Sequence, residues 1–249
     1  MHLAEVTWTD ADAADADLAV LPVGSTEQHG PHAPLGTDVL TAEAVAERGA
    51  DRYESGTDES VVVAPAIPVG VAEEHRQFTG TLWVSENTFR DYVRETVESL
   101  QSHGWGRVVV VNGHGGNVAP LREVCGHVTR HTDGYVVPFT WFDAVDPDAV
   151  GMGHGGPLET SALRHFHPEL VHEDRLDDAA AGGADGWGEW HSGVNLAYDS
   201  AEFSENGTVG DPREGDGDLG ERLLDEAAAG LSALLERVAE RETDLPDHR

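Results

Sequence analysis

Residues 21–38 read LPVGSTEQHGPHAPLGTD, and this stretch continues an apolar run that begins at Leu18. A loop rich in glycine and proline follows the apolar run, and a helix-like segment follows the loop. This order is typical of an α/β enzyme whose site lies at the end of a strand. The loop holds four side chains able to bind a metal or move a proton: Glu27, His29, His32 and Asp38. Hard or borderline divalent metals prefer such ligands, so the stretch predicts a metal-dependent hydrolase.

Apolar and amphipathic segments alternate along the rest of the chain. Strands are predicted at 18–23, 61–64, 107–111 and 135–139, and helices at 38–53, 85–103, from 118, 157–166 and 219–240. This alternation predicts an α/β fold with a mostly parallel sheet covered by helices on both faces, in a single domain spanning residues 1–249. Residues 177–218 are rich in Gly, Asp and Ala, and we expect loops with little regular structure there.

The length and the single cysteine exclude several classes of protein. At 249 residues the chain is long enough for a substantial core. No apolar run approaches the roughly 20 residues needed to cross a bilayer. The N-terminal residues lack a basic segment followed by an apolar one, so we expect no signal peptide and a cytoplasmic protein. Cys125 is the only cysteine, which excludes an internal disulfide and a thiolate metal cage.

The charge balance is strongly acidic. There are 47 Asp and Glu residues against 15 basic ones, all Arg, for a net charge of −32. Nucleic acid and anionic membranes are therefore disfavoured as partners, because their phosphates would be repelled. The acidity could bind a cationic partner, or it could keep the protein dissolved in a very salty cytoplasm, where its self-repulsion is screened. We favour the second interpretation, because acid excess without lysine resembles proteins of halophilic archaea.

The first candidate constellation is Glu27-x-His29 with Asp38 nine residues further on. On an extended segment, residues i and i+2 point the same way, so Glu27 and His29 can reach one cavity. Asp38 can return from the far side of the loop, where its two oxygens could bridge two metal ions. In a purely structural interpretation, Glu27 caps a turn, His29 is a core histidine and Asp38 caps the next helix. The clustering of all of them in one loop favours the metal site.

A second constellation, NGHGGN at 112–117, directly follows the predicted strand 107–111. The carboxyl ends of parallel strands meet at one edge of a sheet, so His114 is expected to complete the metal site. The backbone N–H groups of Gly115 and Gly116 could approach an anion or oxyanion. A phosphate-binding loop is a rival interpretation, but the Walker pattern is absent and the chain has no lysine. A bare glycine turn with an exposed histidine is the structural alternative.

A third constellation, HGGPLETS at 154–161, joins a glycine-rich loop to a helix that begins at Pro157. His154 is a candidate proton shuttle to a leaving amine, so we predict a catalytic role for it. Glu159 is predicted to be a further metal ligand or a catalytic residue that orients one. Its structural alternative is an ordinary glutamate that the helix dipole favours in the first turn.

Four strings taken together closely resemble the creatininase (creatinine amidohydrolase) family: PVGSTEQHGPHAPLGTD, VVVVNGHGGN, HGGPLETS and EEHRQFTGT. The resemblance implies a three-layer α/β/α sandwich, two divalent ions (Zn, Mn or Fe), a small-molecule amide substrate and a ring-shaped homohexamer. It assigns Glu27 and His114 to one ion, His29 to the other, and Asp38 as the bridge. It gives His32 no metal role.

The chain departs from true creatininases at two places. Those enzymes have a Glu at the position of Gly116, where it binds the second ion, so Glu159 is the candidate replacement here. They also carry a Trp-Asp pair and a Glu before the histidine that matches His154, whereas this chain reads AVGMGHGG at 149–156. Creatinine is therefore disfavoured as the substrate.

Two other activities occur in the family that the chain resembles. One is the archaeal deformylase of riboflavin and deazaflavin synthesis, and the other is a peptidase that trims the mycofactocin precursor. We favour the deformylase, with Arg76 and His75 as candidate substrate-binding residues. Arg76 is the candidate group for the substrate phosphate, and Arg213 is a weaker candidate. The alternatives are a creatinine amidohydrolase, the peptidase, and a non-catalytic metal-binding homologue that has lost turnover.

The expected reaction is hydrolysis of a non-peptide C–N amide bond. Metal binding lowers the pKa of water from about 16 to near 7, which provides a nucleophile at neutral pH. Gly115 and Gly116 are expected to hold the oxyanion through their N–H groups, and His154 to protonate the departing amine.

Overall fold

The computed structural model describes residues 1–146 and 151–242. The main strands are β1 (Leu18–Val23), β2 (Val61–Val63), β3 (Arg107–Asn112) and β4 (Tyr135–Thr140). The helices are α1 (Trp8–Asp12), α2 (Thr37–Gly56), α3 (Glu86–Ser102), α4 (Val118–His131), α5 (Pro157–Phe166), α6 (Leu176–Gly182) and α7 (Gly217–Ala239). Two short strands, β5 (Trp190–His191) and β6 (Val194–Asn195), form a separate antiparallel pair. Of the AVGMGHGG segment, residues 149 and 150 lie outside the described part.

The four main strands form one parallel sheet in the order β2-β1-β3-β4. Strand β1 lies between β2 and β3, and Val23 at its end is level with Asn112 at the end of β3. The chain leaves β1 for β2 on one side and then crosses to β3 on the other. Such a reversal of direction opens a crevice at the carboxyl ends of the two central strands.

Alternate residues of each strand belong to two separate cores. Leu18 and Val20 pack with residues of α2, α5 and α7 on one face of the sheet. Ala19 and Leu21 pack with residues of α3 and α4 on the other face. Because both faces are covered, the strands consist of continuous buried apolar residues rather than alternating ones. The α/β/α sandwich with a parallel central sheet is therefore confirmed.

Helix boundaries agree closely with the expected ones. Ser85 caps α3 by accepting a hydrogen bond from the Thr88 backbone N–H at 3.3 Å. Gly104 follows the end of this helix with φ at +96°, a conformation that side chains with a Cβ rarely adopt. Helix α5 spans Pro157–Phe166 with Pro157 in the first turn, as predicted.

The prediction of little regular structure in residues 177–218 is wrong in part. This segment contains most of α6 and the β5–β6 hairpin. It also returns to the sheet edge, because Val209 and His154 exchange two backbone hydrogen bonds of 3.0 and 2.8 Å. The sequence shows no periodicity there because these elements are short and depend on contacts with distant residues. Within residues 1–146 and 151–242, no helix is long and apolar enough to cross a membrane.

We expect added salt to stabilise this acidic protein. Raising KCl from about 0.1 M to about 1 M shortens the Debye length from about 10 Å to about 3 Å, which screens repulsion among the carboxylates. The Tm should therefore rise by several degrees in calorimetric scans. Replacing the exposed Glu221 and Glu236 by glutamine should reduce this gain. A flat or falling Tm would contradict the role we give to the charge.

Candidate metal centre

The predicted site residues meet at the crevice between the carboxyl ends of β1 and β3. The loop after β1 supplies Glu27 and His29, and the first turn of α2 supplies Asp38. The loop after β3 supplies His114, and the loop before α5 supplies His154. All five residues are buried, with relative exposures between 0 and 4%.

Three sets of side chains place one ligand atom each within 4.8 Å of one another: Glu27, His29 and Asp38; His29, His154 and Glu159; Glu27, His75 and His154. The sets share members, so they form one continuous cluster. The rings of His29 and His75 each lie 4.2 Å from the ring of His154, measured between centroids. The structure thus brings the predicted metal ligands together, and His75, predicted to bind substrate, lies inside the same cluster.

Backbone carbonyls fix the orientation of three imidazoles. His29 donates from Nδ1 to the Glu27 carbonyl at 3.2 Å, and His114 donates from Nε2 to the Val71 carbonyl at 2.6 Å. His154 donates from Nε2 to the Gln28 carbonyl at 2.5 Å. A carbonyl oxygen can only accept, so the other nitrogen of each neutral ring carries a lone pair. Metal-binding histidines are anchored in this way through the nitrogen that does not hold the metal.

The other nitrogens of these rings face carboxylates, an arrangement that a shared proton or a metal ion stabilises. Nδ1 of His114 lies 3.1 Å from Glu27 Oε1 and 3.3 Å from Asp38 Oδ2. Among the described residues, both oxygens of Glu27 and Oδ2 of Asp38 have no hydrogen-bond partner although they are buried. Unpaired buried charge is costly unless a proton or a metal ion neutralises it. The cluster is thus able to bind metal.

The pKa shifts reflect both burial and the charges of the cluster. Burial raises the pKa of Glu27 to about 7. Burial opposes the charged form of His29, but the carboxylates of Asp38 and Glu159 outweigh it and raise its pKa well above the usual value. Glu27 and Asp38 act on His114 in the same way. Protons on these imidazoles would have to leave when a metal binds, which couples metal affinity to pH.

Burial has the largest effect on the pKa of His154, which lies at the edge of the group of carboxylates. Burial and the charge of His29 lower the pKa of His154 to about 4. Its Nδ1 lies 3.8 Å from Glu27 Oε1. The ring of Trp187, from the segment that carried no sequence motif, meets it edge-on at 6.1 Å. The imidazole is therefore neutral, with an unprotonated nitrogen that faces the cluster.

Glu159 lies beside His29, at the start of α5. Its Oε2 accepts a hydrogen bond from the Gly155 N–H at 2.7 Å and lies 3.7 Å from His29 Nε2. Gly155 has φ at +55°, and a Cβ there would lie 2.7 Å from the carbonyl oxygen of His29. Glycine at 155 thus allows the loop before α5 to approach His29 so closely that the Glu159 carboxylate lies beside the His29 imidazole.

Gly116 has no space for the glutamate that the resemblance expects. A Cβ there would lie 2.1 Å from the Val71 carbonyl oxygen and 2.5 Å from His114 Nε2. The carboxylate nearest to this place belongs to Glu74, whose Oε1 lies 3.8 Å from His114 Nε2. Sequence reasoning missed Glu74, although its position in EEH next to His75 was a signal.

We expect Gly116→Glu to destabilise the protein rather than restore a ligand. The new side chain would displace the Val71 carbonyl that anchors His114, and overpacking of this kind costs about 1–3 kcal/mol. For a chain of this size each kcal/mol lowers the Tm by about 2–4 °C. Gly115→Glu is the matched control, because a Cβ at 115 meets nothing within 4 Å. Equal Tm values for the two variants in thermal scans would refute this account.

Arg76, expected to bind a substrate phosphate, is held by two carboxylates. Its guanidinium lies 3.2 Å from Glu73 Oε1 and 3.0 Å from Asp199 Oδ2. The surrounding cavity has a volume of about 320 Å³. Its charged lining consists of Arg76 and four acidic residues: Glu73, Glu74, Glu86 and Asp199. Arg213 is likewise paired, with Asp177 and Asp211. Both arginines would have to exchange these partners to bind a phosphate.

The remaining candidates lie close to the cluster. Gly115 and Gly116 belong to a turn of 3₁₀ helix, Gly115–Asn117, that directly follows His114. His32 is buried outside the cluster and contacts Thr160 Oγ1 at 2.9 Å. Burial lowers the pKa of His32 to about 4. Among the described residues, His32 is a member of none of the three sets of side chains able to hold a metal ion.

Comparisons with known proteins identify relatives over most of the chain. A family model described as "Creatininase: Creatinine amidohydrolase" matches residues 4–235. The mycofactocin precursor peptide peptidase of Mycolicibacterium smegmatis is 35% identical over 220 residues, which cover 88% of this chain and 85% of that protein. The creatinine amidohydrolase of Pseudomonas putida is 29% identical over 204 residues, covering 72% of this chain and 76% of that protein.

Solved structures with the same fold include metal-bound forms. A crystal structure of creatinine amidohydrolase superposes with a TM-score of 0.82 at 25% identity, covering 97% of this chain and 98% of that chain. A mutant creatininase of the Zn-Zn type gives 0.80 at 26% identity, covering 95% of this chain and 97% of that one. A structure named creatininase Mn gives 0.79 at 26% identity, with the same coverage.

Proposed function

The chain belongs to the creatininase family of amidohydrolases, and from this membership we propose that it is a metal-dependent hydrolase that cleaves an amide C–N bond in a peptide-type substrate. The cluster of unpaired carboxylates and lone-pair imidazoles carries the metal-dependent part of this proposal. The likeness to the mycofactocin precursor peptide peptidases supports the substrate class, because it covers more of the chain at higher identity than the likeness to creatinine amidohydrolase.

We propose that the cluster holds two divalent ions, Zn, Mn or Fe, with Asp38 between them. Oδ1 of Asp38 lies 3.0 Å from His29 Nε2, whereas Oδ2 lies 3.3 Å from His114 Nδ1. The two oxygens thus face the two histidines that the family pattern assigns to different ions. Glu27 would join His114, and Glu159 would join His29 in place of the glutamate absent at 116. When bound, the ions polarise the substrate carbonyl and lower the pKa of water from about 16 to near 7.

His154 is proposed to transfer the proton during hydrolysis. Its Nε2–H stays on the Gln28 carbonyl, which leaves Nδ1 free to accept the proton that the attacking water loses. The same nitrogen then gives this proton to the departing amine, so the ring returns to its starting state. Trp187 covers one edge of the ring and limits access of bulk water to it. The N–H groups of Gly115 and Gly116 remain the candidates for holding the oxyanion.

The mouth of the site favours an uncharged or cationic substrate over a phosphorylated one. The cavity beside Glu74 is lined by four carboxylates, and Arg76 is already paired with two of them. An incoming phosphate would meet net negative charge there. The formamide deformylase, which the sequence favoured, therefore stays a prediction, and the peptidase alternative becomes the better supported one. The hexamer and the cytoplasmic location also remain proposals.

A substrate panel tests the proposed function. The metal-loaded protein in high salt would be incubated with a library of short peptides, with the formylamino-pyrimidine ribose phosphate and with creatinine. We expect peptide products in mass spectra, and we expect a chelator to abolish them. Formate release without peptide cleavage would instead support the deformylase. Bound metal with no turnover of any substrate would support a non-catalytic homologue.

A further inference from the structure

We infer that Gln28 is a positioning residue that keeps the proton of His75 on Nε2, so that His75 holds the Glu27 carboxylate in place for metal binding. The inference rests on the proposed metal site. Gln28 lies between Glu27 and His29 in the opening loop, and the sequence motifs assign it no role.

Two backbone partners fix the orientation of the Gln28 amide without reference to His75. The side chain is buried, and its Oε1 accepts a hydrogen bond from the Gly30 N–H at 2.9 Å. Its Nε2 donates to the Gly207 carbonyl at 3.0 Å. A backbone N–H can only donate and a carbonyl can only accept, so the oxygen and the nitrogen of this amide cannot be exchanged.

The third contact of Gln28 determines the tautomer of His75. Nε2 of Gln28 lies 2.9 Å from Nδ1 of His75. Because an amide nitrogen donates and does not accept, Nδ1 must be the acceptor, and the proton of the neutral ring lies on Nε2. That Nε2 lies 3.5 Å from Glu27 Oε1, an oxygen without a hydrogen-bond partner among the described residues.

His75 therefore differs from the other three imidazoles of the cluster. His29, His114 and His154 each place one N–H on a backbone carbonyl and turn the other nitrogen toward the carboxylates, where it offers a lone pair to a metal once it is deprotonated. In His75, Nδ1 accepts a hydrogen bond from the Gln28 amide, and Nε2, which faces Glu27, carries the proton of the ring. His75 thus has no free lone pair with which to bind a metal, although its ring lies close enough to the proposed site to reach an ion. Its N–H faces Oε1 of Glu27, the oxygen that also lies 3.1 Å from Nδ1 of His114, and can hold it in place through one lone pair while the second lone pair serves the ion.

Gly207 connects the Gln28–His75 contact to residues 177–218, the segment in which the sequence shows no motif. Gly207 has φ at +84°, and a Cβ there would lie 2.1 Å from Oε1 of Gln28. Any side chain at 207 would thus displace the amide. Residues 177–218 would in this way support the metal site through one glycine, although their sequence contains none of its ligands.

The test compares the zinc-loaded wild type with Gln28→Glu, which keeps the shape but removes the donor. Long-range ¹H–¹⁵N spectra report which imidazole nitrogen carries the proton, and His75→Gln identifies the His75 signals. We expect the proton on Nε2 in the wild type and on Nδ1 in Gln28→Glu. Zinc affinity from chelator competition should fall about 10–100-fold, as is typical when an outer partner of a ligand is lost. Gly207→Ala should weaken zinc binding in the same way.

Gln101→Glu, at the end of α3 and far from the cluster, is the matched control and should leave both readouts unchanged. A wild-type His75 with its proton on Nδ1 would overturn the inference, and this result does not depend on whether Gln28→Glu folds. Unchanged zinc affinity in a folded Gln28→Glu protein would overturn it as well. Neither readout uses a substrate, so the inference can fail while the proposed peptide hydrolysis stands, and the reverse.

Discussion

Asp38→Asn is expected to remove bound metal and to lower kcat/KM about a thousandfold. Each Asp38 oxygen faces a different histidine, His29 at 3.0 Å and His114 at 3.3 Å, so its loss affects both proposed ion positions at once. The amide that replaces it carries no charge to neutralise a cation. Metal ions contribute several kcal/mol of charge stabilisation in the transition state, and each 1.36 kcal/mol corresponds to a factor of ten in rate.

Metal content per chain, measured by mass spectrometry after gel filtration, checks this prediction together with turnover. Asp51→Asn is a matched control, because Asp51 is an exposed carboxylate on the same helix α2. It should retain the wild-type metal content and rate. Two ions per chain in folded Asp38→Asn would rule out a bridging role for Asp38. One ion per chain would also agree with a bridge, because the amide keeps one oxygen that can bind an ion.

His154→Ala is expected to lower kcat about 10²–10⁴-fold while the metal stays bound. This is the range in which positioned general acids and bases contribute. The reason is the fixed tautomer, since Nε2–H is held by the Gln28 carbonyl and Nδ1 alone is available to carry the proton. The distance of 3.8 Å from Nδ1 to Glu27 Oε1 would also permit a ligand role, so the metal content decides between the two.

Turnover and metal content would be measured on the same preparation of His154→Ala. His172→Ala provides the control, because the ring of His172 is half exposed and lies outside the cluster. Loss of metal in parallel with loss of activity would make His154 a ligand and would remove the proton carrier from the proposed reaction. Retained metal with retained kcat would exclude both roles.

Much of the fold and part of the site could be predicted from local sequence pattern. Strand β3 and helix α5 were predicted within one residue of their observed bounds, because buried β-branched runs and a proline in the first helical turn act over a few neighbours. Glu27, His29 and Asp38 could be expected to meet because one loop carries them. His114 follows the neighbouring strand, and parallel strands bring such loops to the same edge.

Other features depend on contacts between residues far apart in the chain. Glu74 gave only a weak signal through its neighbour His75, because its place beside His114 brings together two loops about forty residues apart in the chain. Val71 occupies the space that a side chain at position 116 would need, and Asp199 is one of the acidic partners of Arg76. Local periodicity contains no information on such pairs.

The sequence alone therefore determined the layers of the fold, the loop that carries the cluster and the types of ligand that it offers. Only the tertiary structure decided which nitrogen of each imidazole carries a proton, because the partners that fix it are backbone carbonyls and one amide. Except for the Glu27 carbonyl beside His29, those partners meet their histidines only after folding, and the Gln28 amide is itself held by Gly207 across 179 positions. The opening loop thus supplies the reactive side chains of Glu27, His29 and Asp38, while contacts with other parts of the chain set the protonation of the histidines.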